Sequence, residues 1–154
     1  MIDTPQIAQI PAQLVARVHL TIPRSEIRSM MGPGISEVMA AVSDQGVGPT
    51  GPWFTHHLKI NPATFDFEIC VPVRAPVAAV GRVVAGDIPA MTVARTVYEG
   101  PYEGLAIAWR EFHEWILANG HHASPNLLEC YLTGPDSSSH PARWRTELIQ
   151  PLFD

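Results

Sequence analysis

One acidic residue interrupts an apolar segment near the C-terminal end of the chain. The segment runs Leu-Leu-Glu-Cys-Tyr-Leu from Leu127, and Glu129 is its only charged residue. Side chains alternate between the faces of a β-strand, so Glu129 shares a face with Leu127 and Tyr131. A carboxylate there is costly to bury unless it is hydrogen-bonded or paired. It could complement a cationic ligand, act in acid–base hydrolysis, or serve only as an internally satisfied side chain.

A histidine pair occupies the matching place in the first half of the chain. Glu129 follows Pro125 by four residues, and His56 follows Pro52 by the same interval. This spacing predicts His56 as the counterpart of Glu129, with His57 beside it. Both are therefore candidate ligand contacts.

The histidine pairs do not predict a metal site. His56-His57 and His121-His122 are adjacent residues, which face opposite ways in a strand, and no third ligand follows at a recognisable spacing. The sequence also lacks a Ser-His-Asp order and a glycine-rich phosphate loop. We expect neither a metal nor a cofactor.

Aromatic residues form the second group of candidates. Flat rings suit planar ligands and cations, although the same rings can simply pack in a core, which is the interpretation favoured for Phe112. Trp144 is predicted to pack structurally. The aromatic candidates for ligand contact are Tyr102, Trp109 and Phe112 of a predicted helix, together with Trp53 and Tyr131.

The elements that must hold these residues occur twice. Ile10-Pro11-Ala12 returns as Ile88-Pro89-Ala90, which is 78 residues later. Glu68-Ile69 returns as Glu147-Leu148, which is 79 residues later. Gly32-Pro33 and Gly100-Pro101 are predicted to open the matching helices. Ordered matches at a nearly constant offset indicate an internal duplication with repeats of approximately 10–73 and 88–152.

Each repeat is predicted to contain a strand, a helix and two further strands. The apolar periodicities place them at 14–22, 34–45, 54–60 and 65–73, and at 92–98, 102–119, 127–133 and 144–152, with a connecting strand at 82–86 and a loop at 134–139. This pattern predicts an α+β fold, a single domain over 1–154 with one antiparallel sheet, two helices and a central cleft.

Two further acids occupy equivalent places in the last strand of each repeat. Glu68 and Glu147 match each other, as do Arg17 and Arg95. The favoured interpretation is a structural ion pair in each half, not catalysis.

The composition limits the classes of partner. The net charge is −5, Lys59 is the only lysine, and no basic cluster is present, so direct nucleic-acid binding is not expected. No apolar run reaches the roughly 18–20 residues that a bilayer span needs, and no secretory leader opens the sequence. The two cysteines lie in apolar runs and predict no disulfide scaffold. The expected location is cytoplasmic, and no oligomeric state is indicated.

Several motifs, in order, resemble the GyrI-like domain, also known as the effector-binding domain of bacterial transcription regulators. The resemblance covers almost the whole chain and is to the members that stand alone. The segments that carry it are Met31-Gly32-Pro33, Phe67-Glu68-Ile69-Cys70-Val71-Pro72-Val73, Gly100-Pro101-Tyr102-Glu103-Gly104-Leu105, Glu129-Cys130-Tyr131-Leu132-Thr133, and Trp144-Arg145-Thr146-Glu147-Leu148.

The resemblance implies a duplicated fold that binds small hydrophobic, aromatic or cationic molecules in an acid-lined cleft, for sensing or sequestration. It places the family's cleft acid at Glu129. It leaves two alternatives open: a hydrolase of cyclopropane-bearing or other strained electrophiles with Glu129 as its acidic catalytic residue, and a gyrase-inhibitor-like protein with a protein partner. His57 stands where relatives have a tyrosine, which puts the first-half ligand contacts in doubt.

Overall fold

A computed structural model describes residues 2–60, 63–134 and 139–153 of the chain. Each helix follows a short 3-10 turn, at Arg24–Glu26 and at Tyr102–Gly104. No helix within the described ranges is both long and apolar enough to cross a membrane. The elements are β1 (Gln6–Ile10), β2 (Gln13–Pro23), α1 (Ile27–Asp44), β3 (Phe54–Ile60), β4 (Thr64–Pro72), β5 (Val83–Ile88), β6 (Met91–Glu99), α2 (Leu105–Ala118), β7 (Leu127–Thr133) and β8 (Arg145–Pro151).

The first compact unit comprises Pro11–Ala90. Its strands pair antiparallel in the order β3-β4-β2-β5. Alternate residues of β2 and β4 are buried against α1, because a strand sends every second side chain to the same face. This core contains Val18, Leu20, Val38, Val42, Phe67 and Ile69 among others.

The second compact unit comprises Met1–Ile10 and Met91–Asp154. Its strands pair antiparallel in the order β1-β6-β8-β7. Helix α2 buries one stripe of side chains at helical spacing, which is the pattern of an amphipathic helix. The core of this unit includes Tyr98, Ala108, Trp109, Phe112, Ile116 and Leu148.

Strand registers show that the two units are copies. In the first unit His57 lies opposite Phe67, and in the second Tyr131 lies opposite Thr146. The register shift between His57 and Lys59 recurs between Tyr131 and Thr133. Strands β1 and β5 are also equivalent. Each ends in the isoleucine of an Ile-Pro-Ala motif, and each lies opposite one of the two matching arginines, Arg95 for β1 and Arg17 for β5. The predicted α+β class and the duplicated strand-helix-strand-strand unit are therefore confirmed.

The predicted start of the first helix is wrong. Helix α1 begins at Ile27 and carries Pro33 inside it, whereas Gly32-Pro33 was expected to precede it. A proline beyond the first turn has no N–H to donate to the carbonyl four residues earlier. Proline is therefore not expected inside a helix, and the sequence pattern placed the helix start after it. The true counterpart of Pro101 is Pro23, because each precedes the 3-10 turn of its unit.

The sequence patterns missed β1 and approximated the other boundaries. Predicted strands 54–60 and 127–133 agree with β3 and β7, and the predicted connecting strand at 82–86 is β5, Val83–Ile88. The helix expected over 102–119 is a 3-10 turn followed by α2. The loop predicted at 134–139 lies mostly outside the described residues.

Candidate functional site

Glu129 accepts two hydrogen bonds in the interior of the second unit. The indole Nε1–H of Trp109 donates to its Oε2 at 2.7 Å, and the Tyr131 hydroxyl donates to its Oε1 at 2.6 Å. Only 8% of Glu129 is exposed. Both donors are neutral groups, and their hydrogen bonds offset part of the cost of burying a carboxylate.

The local fold explains why these three groups meet. Strand alternation puts Glu129 and Tyr131 on the same face of β7, as the sequence predicted. Trp109 lies on the buried stripe of α2, and its ring also packs against Phe112. Phe112 itself is fully buried in the core, which agrees with the packing interpretation of this residue.

Two more rings extend the site from Tyr131 toward the surface. Tyr102 meets Tyr131 edge-on, with 5.9 Å between ring centroids, and lies 4.8 Å from the ring of Trp144. Tyr102 is partly exposed, whereas Glu129 is buried. A row of aromatic side chains therefore leads from the solvent-facing 3-10 turn to the carboxylate.

The Gly-Pro-Tyr-Glu-Gly motif holds Tyr102 in place. Tyr98 donates its hydroxyl to the Pro101 carbonyl at 2.8 Å, and its ring fits against Gly100 and Gly104. A Cβ at Gly100 would lie 2.6 Å from that hydroxyl, and Gly100 also has a φ of +148°, which disfavours other residues. The Gly100 N–H donates to the Trp144 carbonyl at 2.8 Å, so the motif anchors both ends of the aromatic row.

In the first unit, the counterpart of the Glu129–Tyr131 pair is Thr55–His57. Thr55 lies opposite Ile69 as Glu129 lies opposite Leu148, and the Thr55 hydroxyl lies 3.2 Å from His57 Nε2. The prediction that His56 is the counterpart of Glu129 is therefore wrong by one residue. Cross-strand pairing, not the distance from a proline, sets the register of β3.

His56 lies on the other face of β3, beside a buried acid. Its Nδ1 is 3.4 Å from Glu68 Oε1, and Arg17 contacts Glu68 Oε2 at 3.0 Å. Burial alone would raise the pKa of Glu68, but the His56 hydrogen bond and the Arg17 charge outweigh it and hold that pKa below its ordinary value. The predicted ion pair of the first half is confirmed.

The equivalent face of the second unit holds the matching ion pair. Arg95 contacts Glu147 through two guanidinium nitrogens, as the sequence predicted. Cys130 lies opposite Glu147, and burial raises the pKa of its thiol to about 11, with the Glu147 charge adding to the effect. Glu129 lies on the opposite face of the sheet from this ion pair.

The other two candidate residues of the first unit, His57 and Trp53, contact residues of that unit. His57 stacks on Phe67 with ring centroids 5.3 Å apart and meets Phe65 edge-on. Trp53 packs against the core of that unit. A surface depression of about 240 Å³ also lies there, lined by Glu37, Asp44 and Val80 among others, and it contains none of the predicted site residues.

The sequence patterns did not indicate Gln150, whose buried side-chain amide links several segments of the second unit. Gln150 is almost fully buried and its Oε1 lies 2.8 Å from His113 Nε2, while the His113 ring packs beside Trp109. A glutamine between Ile149 and Pro151 in the final strand was the available signal. Its amide nitrogen reaches the carbonyls of Ser124, Asn126 and Pro151.

Within the described ranges, no three His, Cys, Asp or Glu side chains are grouped so that they could hold a metal ion. The geometry is that of a buried carboxylate bordered by aromatic rings.

Structural comparison identifies several proteins with the same fold. The chain superposes on the crystal structure of the EcmrR C-terminal domain with a TM-score of 0.85 at 26% identity, over 97% of this chain and 96% of that one. EcmrR in its DNA complex gives the same TM-score at 25% identity, and there the chain spans 57% of the EcmrR length.

More distant structures share the fold alone. SAV2435, solved with tetraphenylphosphonium, has a TM-score of 0.65 at 11% identity, over 97% of this chain and 94% of that one. A hydrolase from Listeria innocua has a TM-score of 0.73 at 12% identity, over 96% and 91%.

Comparison with curated proteins gives no significant match. The model of the GyrI-like small molecule binding domain matches residues 3–152. That match spans both repeats, the carboxylate and the aromatic row. The chain therefore belongs to the family of GyrI-like small-molecule-binding domains.

Proposed function

We propose that this protein binds small hydrophobic, aromatic or cationic molecules beside Glu129, and that it senses or sequesters them. The observation that carries the proposal is the buried Glu129 carboxylate, held by the neutral donors Trp109 and Tyr131 and bordered by aromatic rings. A lipophilic cation could supply positive charge to the carboxylate and apolar surface to the rings at the same time.

The first unit contains a cation over an aromatic ring at the place that corresponds to the aromatic row of the second unit. The Arg24 guanidinium lies over the Phe65 ring, 4.3 Å from its centroid. By the offsets of the duplication, Arg24 and Phe65 correspond to Tyr102 and Trp144. A cation over an aromatic face contributes about 0.5–2 kcal/mol. In the second unit the Tyr102 ring takes the place of that guanidinium against Trp144, and we propose that a ligand cation binds beside Glu129.

A titration with tetraphenylphosphonium tests the proposal. This probe is chosen because the fold relative SAV2435 was solved with it. Glu129→Gln keeps the shape of the side chain and removes its charge, so we expect affinity to fall about tenfold or more, on the scale of a charge-assisted contact of about 1.5–3 kcal/mol. Isothermal titration calorimetry at fixed ionic strength provides the affinities.

Glu147→Gln is the matched control. It makes the same change in net charge in the neighbouring strand but on the opposite face, where Glu147 pairs with Arg95. We expect it to leave affinity within about twofold of the wild type. If a panel of lipophilic cations does not bind the wild type, or if the two variants behave alike, the proposal is wrong.

The short Tyr131–Glu129 hydrogen bond supports hydrolysis as a second candidate function. A carboxylate beside a phenol can accept a proton from an attacking water, provided that a strained electrophile lies within reach. Incubation with a cyclopropane-bearing alkylator, followed by mass spectrometry for the water adduct, tests this function. Adduct formation by the wild type and not by Glu129→Gln would support it, and no adduct with either would exclude it for that substrate.

A further inference from the structure

The Trp109 indole, which donates to Glu129, contacts two side chains of its own helix. Its ring packs beside Phe112, with 5.7 Å between ring centroids, and beside His113, with 5.4 Å. His113 lies one turn after Trp109 in α2, so the two side chains are neighbours on the helix surface. The His113 ring therefore limits how far the indole can turn away from the carboxylate.

His113 is itself held by Gln150 of β8. The Gln150 amide nitrogen reaches three backbone carbonyls at 2.8–2.9 Å, so the amide group cannot turn over without losing these contacts. Its Oε1 is then directed at His113 Nε2, which lies 2.8 Å away. Because an amide oxygen only accepts hydrogen bonds, Nε2 of His113 must carry the hydrogen. Gln150 thus fixes both the place and the tautomer of the His113 ring.

The first unit has equivalents of these positions. Gln150 lies opposite Ala94 in the second unit, as Val71 lies opposite Ala16 in the first. Each helix begins directly after the 3-10 turn of its unit, so positions counted from that turn correspond. The first-unit counterparts of Trp109, His113 and Gln150 are therefore Met31, Ile35 and Val71.

All three counterparts are apolar and pack in the core of the first unit. Glu129 has no acidic counterpart either, since Thr55 takes its place there. The repeat therefore folds with apolar side chains at the helix and strand positions. The polar pair of His113 and Gln150 occurs only in the unit that has a carboxylate to hold, which indicates that the pair is not needed to build the repeat.

We propose that His113 is a positioning residue for the Glu129 site. Gln150 fixes the His113 ring, and the ring holds the Trp109 indole. The indole N–H in turn fixes one oxygen of the Glu129 carboxylate. A carboxylate whose orientation is set before binding loses less freedom when a cation arrives, which raises the affinity. The predicted effect on binding rests on the proposed function, whereas the predicted effect on the indole of the free protein does not.

His113→Gln tests the ring and spares the other contacts. A glutamine amide can still donate to Gln150 Oε1, but it leaves no ring beside Trp109. In the free protein, the Trp109 indole N–H should exchange with solvent about threefold faster or more, because its bond to Glu129 opens more often. Nitrogen-15 NMR measures this exchange, and the resonance of Trp109 is the one that disappears in Trp109→Phe. An unchanged exchange rate would overturn the proposal.

The same variant should bind tetraphenylphosphonium about three- to tenfold more weakly than the wild type in calorimetry. In a Trp109→Phe background, His113→Gln should have no further effect on affinity, because it acts through the indole. Equal losses in the two backgrounds would show that His113 acts by another route, and the proposal would be wrong.

Transfer of the first-unit residues provides a second variant. His113→Ile combined with Gln150→Val places in the second unit the side chains with which the first unit folds, and it leaves neither member of the pair without its partner. Both effects should be at least as large as in His113→Gln. A double variant that is folded by circular dichroism, and that keeps the exchange rate and affinity of the wild type, would contradict the proposal.

Thr96→Val is the matched control. Thr96 is buried in β6 and its hydroxyl donates to the Asp3 carbonyl at 2.7 Å, so this change should lower the melting temperature. It should leave the Trp109 exchange rate and the affinity within about twofold of the wild type; an acceleration equal to that of His113→Gln would refute the positioning role. The two proposals fail separately. If the wild type binds no lipophilic cation, the proposed function fails, and the indole exchange rate of the free protein still decides this inference.

Discussion

Replacement of Tyr131 by phenylalanine removes one hydroxyl group and the 2.6 Å hydrogen bond to Glu129. The acceptor is a charged, buried carboxylate, and hydrogen bonds to charged groups contribute about 1.5–3 kcal/mol to stability. For a chain of this length, a loss of about 2 kcal/mol lowers the melting temperature by about 4–8 °C. The ring contact with Tyr102 does not involve the hydroxyl, so packing should change little.

Tyr98→Phe provides the comparison for this prediction. It removes a hydroxyl whose acceptor, the Pro101 carbonyl, is neutral, so the expected loss is about 1 kcal/mol, half that of Tyr131→Phe. Urea unfolding followed by tryptophan fluorescence measures both. A double-mutant cycle between Tyr131→Phe and Glu129→Gln should give a coupling of about 1 kcal/mol or more. Additive effects in this cycle, or equal losses for the two tyrosine variants, would refute the assignment of a charged acceptor at Glu129.

Two further predictions concern stability. Gly104→Ala should destabilise the protein by about 1–3 kcal/mol because its Cβ would collide with the Tyr98 hydroxyl, and the loss should be smaller when Tyr98→Phe has already removed that hydroxyl; equal losses in the two backgrounds in thermal melts would contradict the packing around Tyr98. Glu68 has a lowered pKa in the folded state, so its contribution is present above the unfolded value of about 4.3 and is lost as the pH falls through the folded value. Urea unfolding of the wild type and of Glu68→Gln should therefore differ at pH 7 and converge at low pH, and a constant difference across that range would exclude this ion pair as the cause.

The duplication and the place of Glu129 could be predicted from the sequence because both depend on local, periodic features. Strand alternation put Glu129 with Tyr131, and matching charges predicted the ion pairs of Arg17 with Glu68 and of Arg95 with Glu147. The donor Trp109 was a candidate because it lay on the apolar stripe of α2. These inferences need only the period of a strand or a helix.

The register between strands could not be read from spacing. Phe54 and Leu128 are equivalent, since they lie opposite Cys70 and Ile149, but Phe54 follows Pro52 by two residues and Leu128 follows Pro125 by three, so a shared proline does not mark equivalent strand positions. That is why His56 was matched to Glu129 in place of Thr55. Cross-strand hydrogen bonds fix register, and their partners are remote in sequence.

The role of Tyr98 was also out of reach. It depends on what lies against a turn, and the residue type alone does not signal such a contact. The Gly-Pro-Tyr-Glu-Gly motif was recognisable, but its glycines make room for a ring from the preceding strand, which only the fold brings there.

The position of a bound lipophilic cation is the most direct test of the central claim. A crystal of the protein with tetraphenylarsonium would locate the arsenic atom by its anomalous scattering. We expect the arsenic peak in the second unit, with phenyl rings against Tyr131 and Trp144 and with Glu129 as the nearest carboxylate. A fully occupied peak elsewhere, for instance in the depression beside Glu37 and Asp44, and none near Glu129, would contradict the account.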